Sequence, residues 1–138
     1  MAEKIKLELV TPYKKVLSEE VDELSATGVM GEFGVLPGHA PFLASLKIGE
    51  FSYKQDGVLH SMAVSWGYLE IEDDKATVLV QTAERADDID LERAKAALGR
   101  AEDMLKKLPP EDKQFKIYEA ALERAIIRVQ VAGKSGHR

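Results

Sequence analysis

The sequence predicts an α+β chain, all-β and then all-α: a β-sandwich of about ten short strands over residues 1–84, then an antiparallel two-helix hairpin over residues 85–138. Three observations predict it. Apolar and polar residues alternate in the first part, Gly, Pro and Asx turn signals recur between the alternating runs, and from Asp88 the apolar spacing becomes helical.

Ile5, Leu7 and Leu9 alternate with Lys6 and Glu8, which reads as the first strand, and Thr11-Pro12 turns the chain. Gly28 to Pro41 then places four glycines and two prolines in fourteen positions. Glycine permits φ > 0 and proline fixes φ, so this stretch is expected to run as tight turns around at most one short strand, Phe33 to Leu36. It reads equally as a docking loop or as a corner of a β-sandwich. Further turn signals stand at Gly28, Gly34, Gln55-Asp56-Gly57, Gly67 and Asp73-Asp74-Lys75. Leu69 and Ile71 alternate with Glu70 and Glu72, and Ala76, Val78 and Val80 form the next alternating run. Many short strands at this spacing suit a sandwich or a barrel.

Beyond Asp88, Leu91, Ala94, Leu98, Ala101, Leu105 and Leu108 step by three and four along one helix face, with Asp88 or Asp90 available as N-cap. Pro109-Pro110 ends that helix, and Glu111 to Lys113 leave room for a tight reversal. Phe115, Tyr118, Leu122, Ala125 and Val129 supply the facing seam. Alanines at 94, 97, 101, 121 and 125 permit close helix approach but bury little apolar area, so the pair needs the sandwich or another protein to pack on. Residues 133–138 lack periodicity and are expected to be disordered.

At 138 residues and 45% apolar content, the chain can bury a core and suits one or two small domains. The absence of cysteine removes disulfides, thiolate nucleophiles and cysteine-ligated zinc, and fits a reducing setting. There is no run of roughly 18 apolar residues and no secretory signal pattern, so membrane association has to come through a partner. Residues 1–84 carry seven Lys/Arg against fourteen Asp/Glu, a net of −7, and residues 85–138 carry twelve against ten, a net of +2. The two parts are therefore suited to different partners. The bases are interleaved with acids, which argues against nucleic-acid binding.

Two motifs add specificity. Gly31-Glu32-Phe33-Gly34-Val35-Leu36-Pro37-Gly38-His39-Ala40-Pro41, followed by Leu46 and Gly49, resembles the Gly-Glu-x-Gly-x-x-Pro-Gly-His-x-Pro loop of the ε subunit of bacterial F-type ATP synthase. Ile89-Asp90-Leu91-Glu92-Arg93-Ala94 resembles the Ile/Leu-Asp-x-x-Arg-Ala motif of those ε subunits that bind ATP. The resemblance runs along nearly the whole chain.

It implies a non-catalytic rotor subunit of the central stalk. In the family the sandwich clamps the γ subunit and sits on the c-ring, coupling rotation to ATP synthesis. By resemblance, Gly31, Glu32, Phe33 and His39 are the c-ring contacts, and Pro37, Gly38 and Pro41 shape the loop. The helical hairpin is implied to brake ATP hydrolysis by extending toward the catalytic α/β subunits, where Lys106, Lys107, Arg124 and Arg128 would meet acidic side chains. Regulatory ATP would be held in the folded hairpin by Glu84, Ile89, Asp90, Arg93, Arg100, Arg124 and Arg128. Arg93 and Arg100 lie two turns apart on one face, and Arg124 and Arg128 share a face of the second helix, as convergence on phosphate requires. Asp90 serves equally well as a plain helix cap. No cofactor is required beyond that ATP, no metal is implied, and the location is the cytoplasmic side of the cell membrane, peripherally, through the complex.

Gly99 inside the first helix and the stiff Pro109-Pro110 turn depart from the family pattern. Enzymatic readings fare poorly. The glycine run lacks the Gly-Lys-Ser/Thr of a phosphate loop, His39, His60 and His137 lack metal-ligand spacing, and Glu19-Glu20 and Asp73-Asp74 read as solvated turns. The competing class is a free-standing nucleotide-sensing module without a rotor partner.

Overall fold

The computed structural model describes residues 3–134. Its strands are β1 (Ile5–Val10), β2 (Lys15–Val21), β3 (Glu23–Gly28), β4 (Gly31–Val35), β5 (Phe42–Leu46), β6 (Gly49–Gln55), β7 (Val58–Val64), β8 (Gly67–Glu72), β9 (Lys75–Val80) and β10 (Ala83–Arg85). A 3-10 turn at Ala86–Asp88 leads to α1 (Leu91–Lys107) and α2 (Lys113–Ala132). The β-sandwich and helical hairpin predicted from periodicity are both present.

Hydrogen bonding runs in the order β10-β7-β6-β3-β5-β8-β9-β1-β2, with β4 on the other edge of β3. β3 and β5 share one residue pair, Gly28 with Leu46, and there the sheet passes from one layer to the other. Between the layers the inward residues of each strand meet: Leu7, Leu9, Val21, Phe51, Leu69, Ala76 and Val78 are fully buried. Alternation is what puts them there, since a β-strand sends successive side chains to opposite faces. β1 pairs with β9 in parallel, unlike every other pairing in the sheet.

Two-residue turns close β6–β7 and β8–β9, with positive φ at Asp56 (50°), Gly57 (82°), Asp73 (50°) and Asp74 (58°). Glycine and aspartate tolerate this left-handed geometry, and its twist matches that of the strands it joins.

Three sequence expectations need correction. Gly28 to Pro41 does run as turns around one short strand, but that strand is β4, Gly31–Val35, not Phe33–Leu36. The first half of this stretch is a hairpin in which β3 and β4 pair from Gly28–Gly31 to Leu24–Val35 across a two-residue turn, Val29-Met30. Gly34 sits inside β4 rather than at a turn, because ladder pairing with Ser25 outweighs the weak strand preference of glycine. Glu19-Glu20 lies in β2, where Gln55 Nε2 donates to Glu19 Oε2 (3.2 Å) and to the Glu20 carbonyl (3.1 Å).

Asp90 caps α1, its Oδ1 accepting from the Arg93 backbone N–H at 3.1 Å, and Asp112 caps α2 by accepting from Gln114 N–H at 2.8 Å. Leu108 is the C-cap of α1, immediately before Pro109. The seam alanines Ala94, Ala101 and Ala125 are buried where the helices meet. α2 lies against β6, β7 and the 3-10 turn, so the hairpin is folded down on the sandwich. Val131, wholly buried, and Ala132 finish that contact. Residues 135–138, part of the segment expected to be disordered, lie outside the described residues, while Gly133 and Lys134 continue the end of α2 as a turn.

Candidate functional site

Where β10, the 3-10 turn, α1 and α2 meet, there is a cleft of about 310 Å³ lined by Glu84, Asp88, Ile89, Asp90, Arg93, Ala94, Ala97, Arg100 and Arg128. Small-molecule sites typically start at roughly this volume. Six of the seven residues singled out for ATP line it. They reach it from separate elements: Glu84 from the sheet edge, Ile89 and Asp90 from the approach to α1, Arg93 and Arg100 from one face of α1, Arg128 from α2. Ala94 and Ala97, small residues of α1, line it beside the arginines.

Arg128 Nε–H donates to Glu84 Oε1 at 2.5 Å, an ion pair linking α2 to the sheet edge. Arg93 and Arg100 have no ion-pair partner among the described residues. Asp90 is engaged as the cap of α1 through its Oδ1.

Arg124 stands apart from this cleft. Its guanidinium carbon lies 5.9 Å from the ring centroid of Trp66, the sole tryptophan of the chain. A cation over an indole face is attracted by the ring quadrupole, so Arg124 serves here as a second tie between α2 and the sandwich.

Glu50 on β6 makes the third tie. Gln130 Nε2 donates to its Oε1 at 2.7 Å and Lys134 Nζ to its Oε2 at 2.5 Å. Burial pushes the Glu50 carboxyl up, but hydrogen bonds from Lys134, Gln130 and Ser61 outweigh it and leave the group below its ordinary range.

Of the residues expected at the c-ring, Phe33 and His39 meet the same ring, that of Phe42, while Gly31 and Glu32 lie at the β3–β4 turn. Gly31 (φ 124°) and exposed Glu32 adjoin the β3–β4 turn, whose Met30 is 97% exposed. Phe33, one residue on, points to the opposite face, where it packs on the core and meets Phe42 edge-on at 5.3 Å. His39 lies beyond the far end of β4. Its Nδ1 is 2.7 Å from the Ala40 carbonyl oxygen and its ring meets Phe42 at 5.5 Å. Pro37 and Pro41 flank that second turn, and Gly38 (φ 87°) donates its N–H to Asp74 Oδ1 at 2.6 Å. Asp74, read as merely solvated from sequence, thus anchors the Pro37–Pro41 turn.

Residues 4–86 match the family model described as the beta-sandwich domain of the ATP synthase delta/epsilon chain, and residues 87–133 match its long alpha-helix domain. The chain belongs to the ATP synthase delta/epsilon family. The ATP synthase epsilon chain of Geotalea daltonii is 77% identical over 138 residues, all of both chains, and that of Geobacter sulfurreducens is 71% identical over the same span. Among solved structures, a chain of the Euglena gracilis mitochondrial ATP synthase, from the OSCP/F1/c-ring assembly in rotational state 1, superposes with a TM-score of 0.81 at 25% identity. The match covers 94% of this chain and 81% of that one. A central-stalk/c-ring chain of the Tetrahymena thermophila mitochondrial ATP synthase shares the fold at 16% identity, with a TM-score of 0.58 and 96% of each chain covered.

Against this family background, the cleft and ties are built by side chains of which sequence reasoning found only part. Trp66, Glu50, Gln130 and Lys134 were missed. Trp66 alone carried a signal, being a lone tryptophan beside a turn glycine. The outward face of β5, β8 and β9 also shows an apolar stripe that the alternation implied but did not single out: Leu43, Tyr68 and Leu79, each more than half exposed, with Tyr68 and Leu79 directly paired. Among the described residues no cluster suits a metal ion and no helix is long and apolar enough to cross a membrane.

Proposed function

We propose that this epsilon-family chain is a non-catalytic rotor subunit in the central stalk of a bacterial F-type ATP synthase. The observation that carries this is the match of both parts of the chain to the two delta/epsilon domains, in order, with full-length epsilon-chain relatives. The sandwich joins the γ subunit to the c-ring at the cytoplasmic face of the membrane. The apolar stripe of Leu43, Tyr68 and Leu79 supports a γ contact, since such a face otherwise stays in water. The Met30–Glu32 tip supports a c-ring contact, with His39, Pro37, Gly38 and Pro41 shaping the second turn and Phe33 supporting β4 from within.

The hairpin brakes ATP hydrolysis by leaving the sandwich for the catalytic α/β subunits, where its Lys and Arg side chains meet acids. ATP bound in the cleft holds it folded. Three guanidinium groups from two helices, brought within one cleft, support that reading.

The test of the rotor reading is co-purification with the cognate γ subunit. A stable one-to-one complex is expected, and a chain that stays monomeric would point to the free-standing nucleotide-sensing module instead. The ATP reading is tested by calorimetry on the full chain, where binding lost in Arg93→Ala is expected and no heat at millimolar ATP would overturn it.

A further inference from the structure

We propose that His39 meets its docking partner as a fixed hydrogen-bond acceptor, through Nε2, and that the side chain it receives is a cationic donor, a guanidinium or an ammonium group. The inference rests on the c-ring reading above for the identity of the partner, while the state of the imidazole rests on local geometry alone.

A carbonyl oxygen accepts hydrogen bonds and does not donate them. His39 Nδ1 lies 2.7 Å from the carbonyl oxygen of Ala40, so Nδ1 carries the proton and donates it there. The bond made by one imidazole nitrogen selects the tautomer, and in the neutral ring Nε2 is then bare. Among the described residues no donor reaches Nε2, which keeps its lone pair for a group from outside.

The backbone beneath the ring is held on two sides. The Leu36 carbonyl accepts the His39 N–H at 3.2 Å and closes a turn with Pro37 second and Gly38 (φ 87°) third, the arrangement of a type II turn. Asp74 Oδ1 accepts the Gly38 N–H at 2.6 Å, and the Asp74 carbonyl accepts the Lys6 N–H at 2.8 Å, so the Pro37-Gly38 turn is fastened through the β8–β9 turn to β1. The ring itself packs on Phe42 at 5.5 Å, with the planes 61° apart, and Phe42 is backed by Phe33. An acceptor held in place beforehand loses little freedom on docking and selects a donor at one position.

The surroundings decide the charge of that donor. Asp73 and Asp74 form the neighbouring turn, while the next residue, Lys75, is drawn off to Glu8 Oε1 at 3.3 Å. Residues 1–84 carry seven Lys/Arg against fourteen Asp/Glu. A cationic donor is attracted by this field and makes a stronger hydrogen bond than a neutral one.

Two measurements test the proposal. Long-range proton–nitrogen NMR correlations of the full chain at about pH 8.5, where an imidazole is neutral, should show the His39 proton on Nδ1 and none on Nε2. A proton on Nε2 would overturn the proposal. The second measurement is binding of F1 containing this chain to vesicles that carry the c-ring. His39→Asn keeps an amide near the Nδ1 position and removes the acceptor, and should weaken binding about tenfold. His39→Gln places an amide oxygen near the Nε2 position and should stay within about threefold of wild type. His39→Lys presents a donor and the wrong charge, and should lose at least as much as His39→Asn. Wild-type binding by His39→Asn, or equal losses in the Asn and Gln variants, would remove the acceptor role. If Glu32→Ala weakens binding in that case, the c-ring reading survives without this inference; if wild-type F1 does not bind the vesicles, both fall. Co-purification of each variant with γ reports that the sandwich is intact.

Discussion

Glu50 is tied to the hairpin by donors from Gln130 and Lys134, and these, with Ser61, hold its carboxyl below the 4.5 of an unperturbed glutamate despite burial. Undocking removes the first two donors, so the lowered value belongs to the folded hairpin. For a depressed carboxyl the contribution is complete above the ordinary value and is lost as pH falls through the depressed one. Docking should therefore weaken below about pH 4.5, and Glu50→Gln should remove that part of the pH dependence. Trp66 emission followed from neutral to acid pH checks this, since Arg124 covers the indole only when the hairpin is down. Gly67 makes a different demand. A Cβ there would stand 1.8 Å from the Leu79 carbonyl oxygen, so backbone must move. Gly67→Ala should cost about 2 kcal/mol or more in urea unfolding. The sequence marked Gly67 as a turn, but the need for close strand approach is non-local and leaves no sign in the neighbouring residues.

Among the elements, α1 carries an avoidable weakness. Gly99 lies in its interior, and a Cβ added there meets nothing within 4 Å. Gly99→Ala should stabilise α1 by about 1 kcal/mol through reduced unfolded-state entropy, read as a higher midpoint in thermal unfolding of the helical signal. Both helices were legible because a seam stepping by three and four has one structural meaning, and Asp90 and Asp112 supply their caps. The second face of α2 was less legible. Val131 and Ala132 are buried on the sheet rather than on α1, and a seam drawn for one partner does not reveal another. The start of β4 was set two residues late for a related reason: glycine-rich composition signals turns locally, while pairing along β3 is decided across the hairpin. The parallel β1–β9 pair joins residues some seventy apart in sequence, and alternation specifies each strand but not its neighbour. At the cleft, helical spacing correctly paired Arg93 with Arg100, yet it grouped Arg124 with Arg128 although Trp66 draws Arg124 aside.

For the whole molecule, the balance of the docked state decides what the hairpin can do. Its polar ties to the sandwich are the Glu84–Arg128 pair, the Glu50 contacts and the Trp66–Arg124 stack, all partly exposed, and such contacts contribute about 0.2–1 kcal/mol each. Burial of Val131 adds roughly 1.5 kcal/mol or more. A sum of a few kcal/mol can be reversed by a competing surface, whereas the sandwich core, closed by Phe51, Leu7, Leu69 and their neighbours, cannot. Leu7→Ala should cost about 2–5 kcal/mol and abolish assembly with γ at elevated temperature, read by co-purification. The division of labour between a permanent sandwich and a releasable hairpin is the central claim. It is tested most directly by assembling the ATP synthase with this chain truncated before Asp88 and measuring ATP hydrolysis by the complex. Intact assembly with increased hydrolysis is the predicted result; an assembled complex whose hydrolysis is unchanged would contradict it.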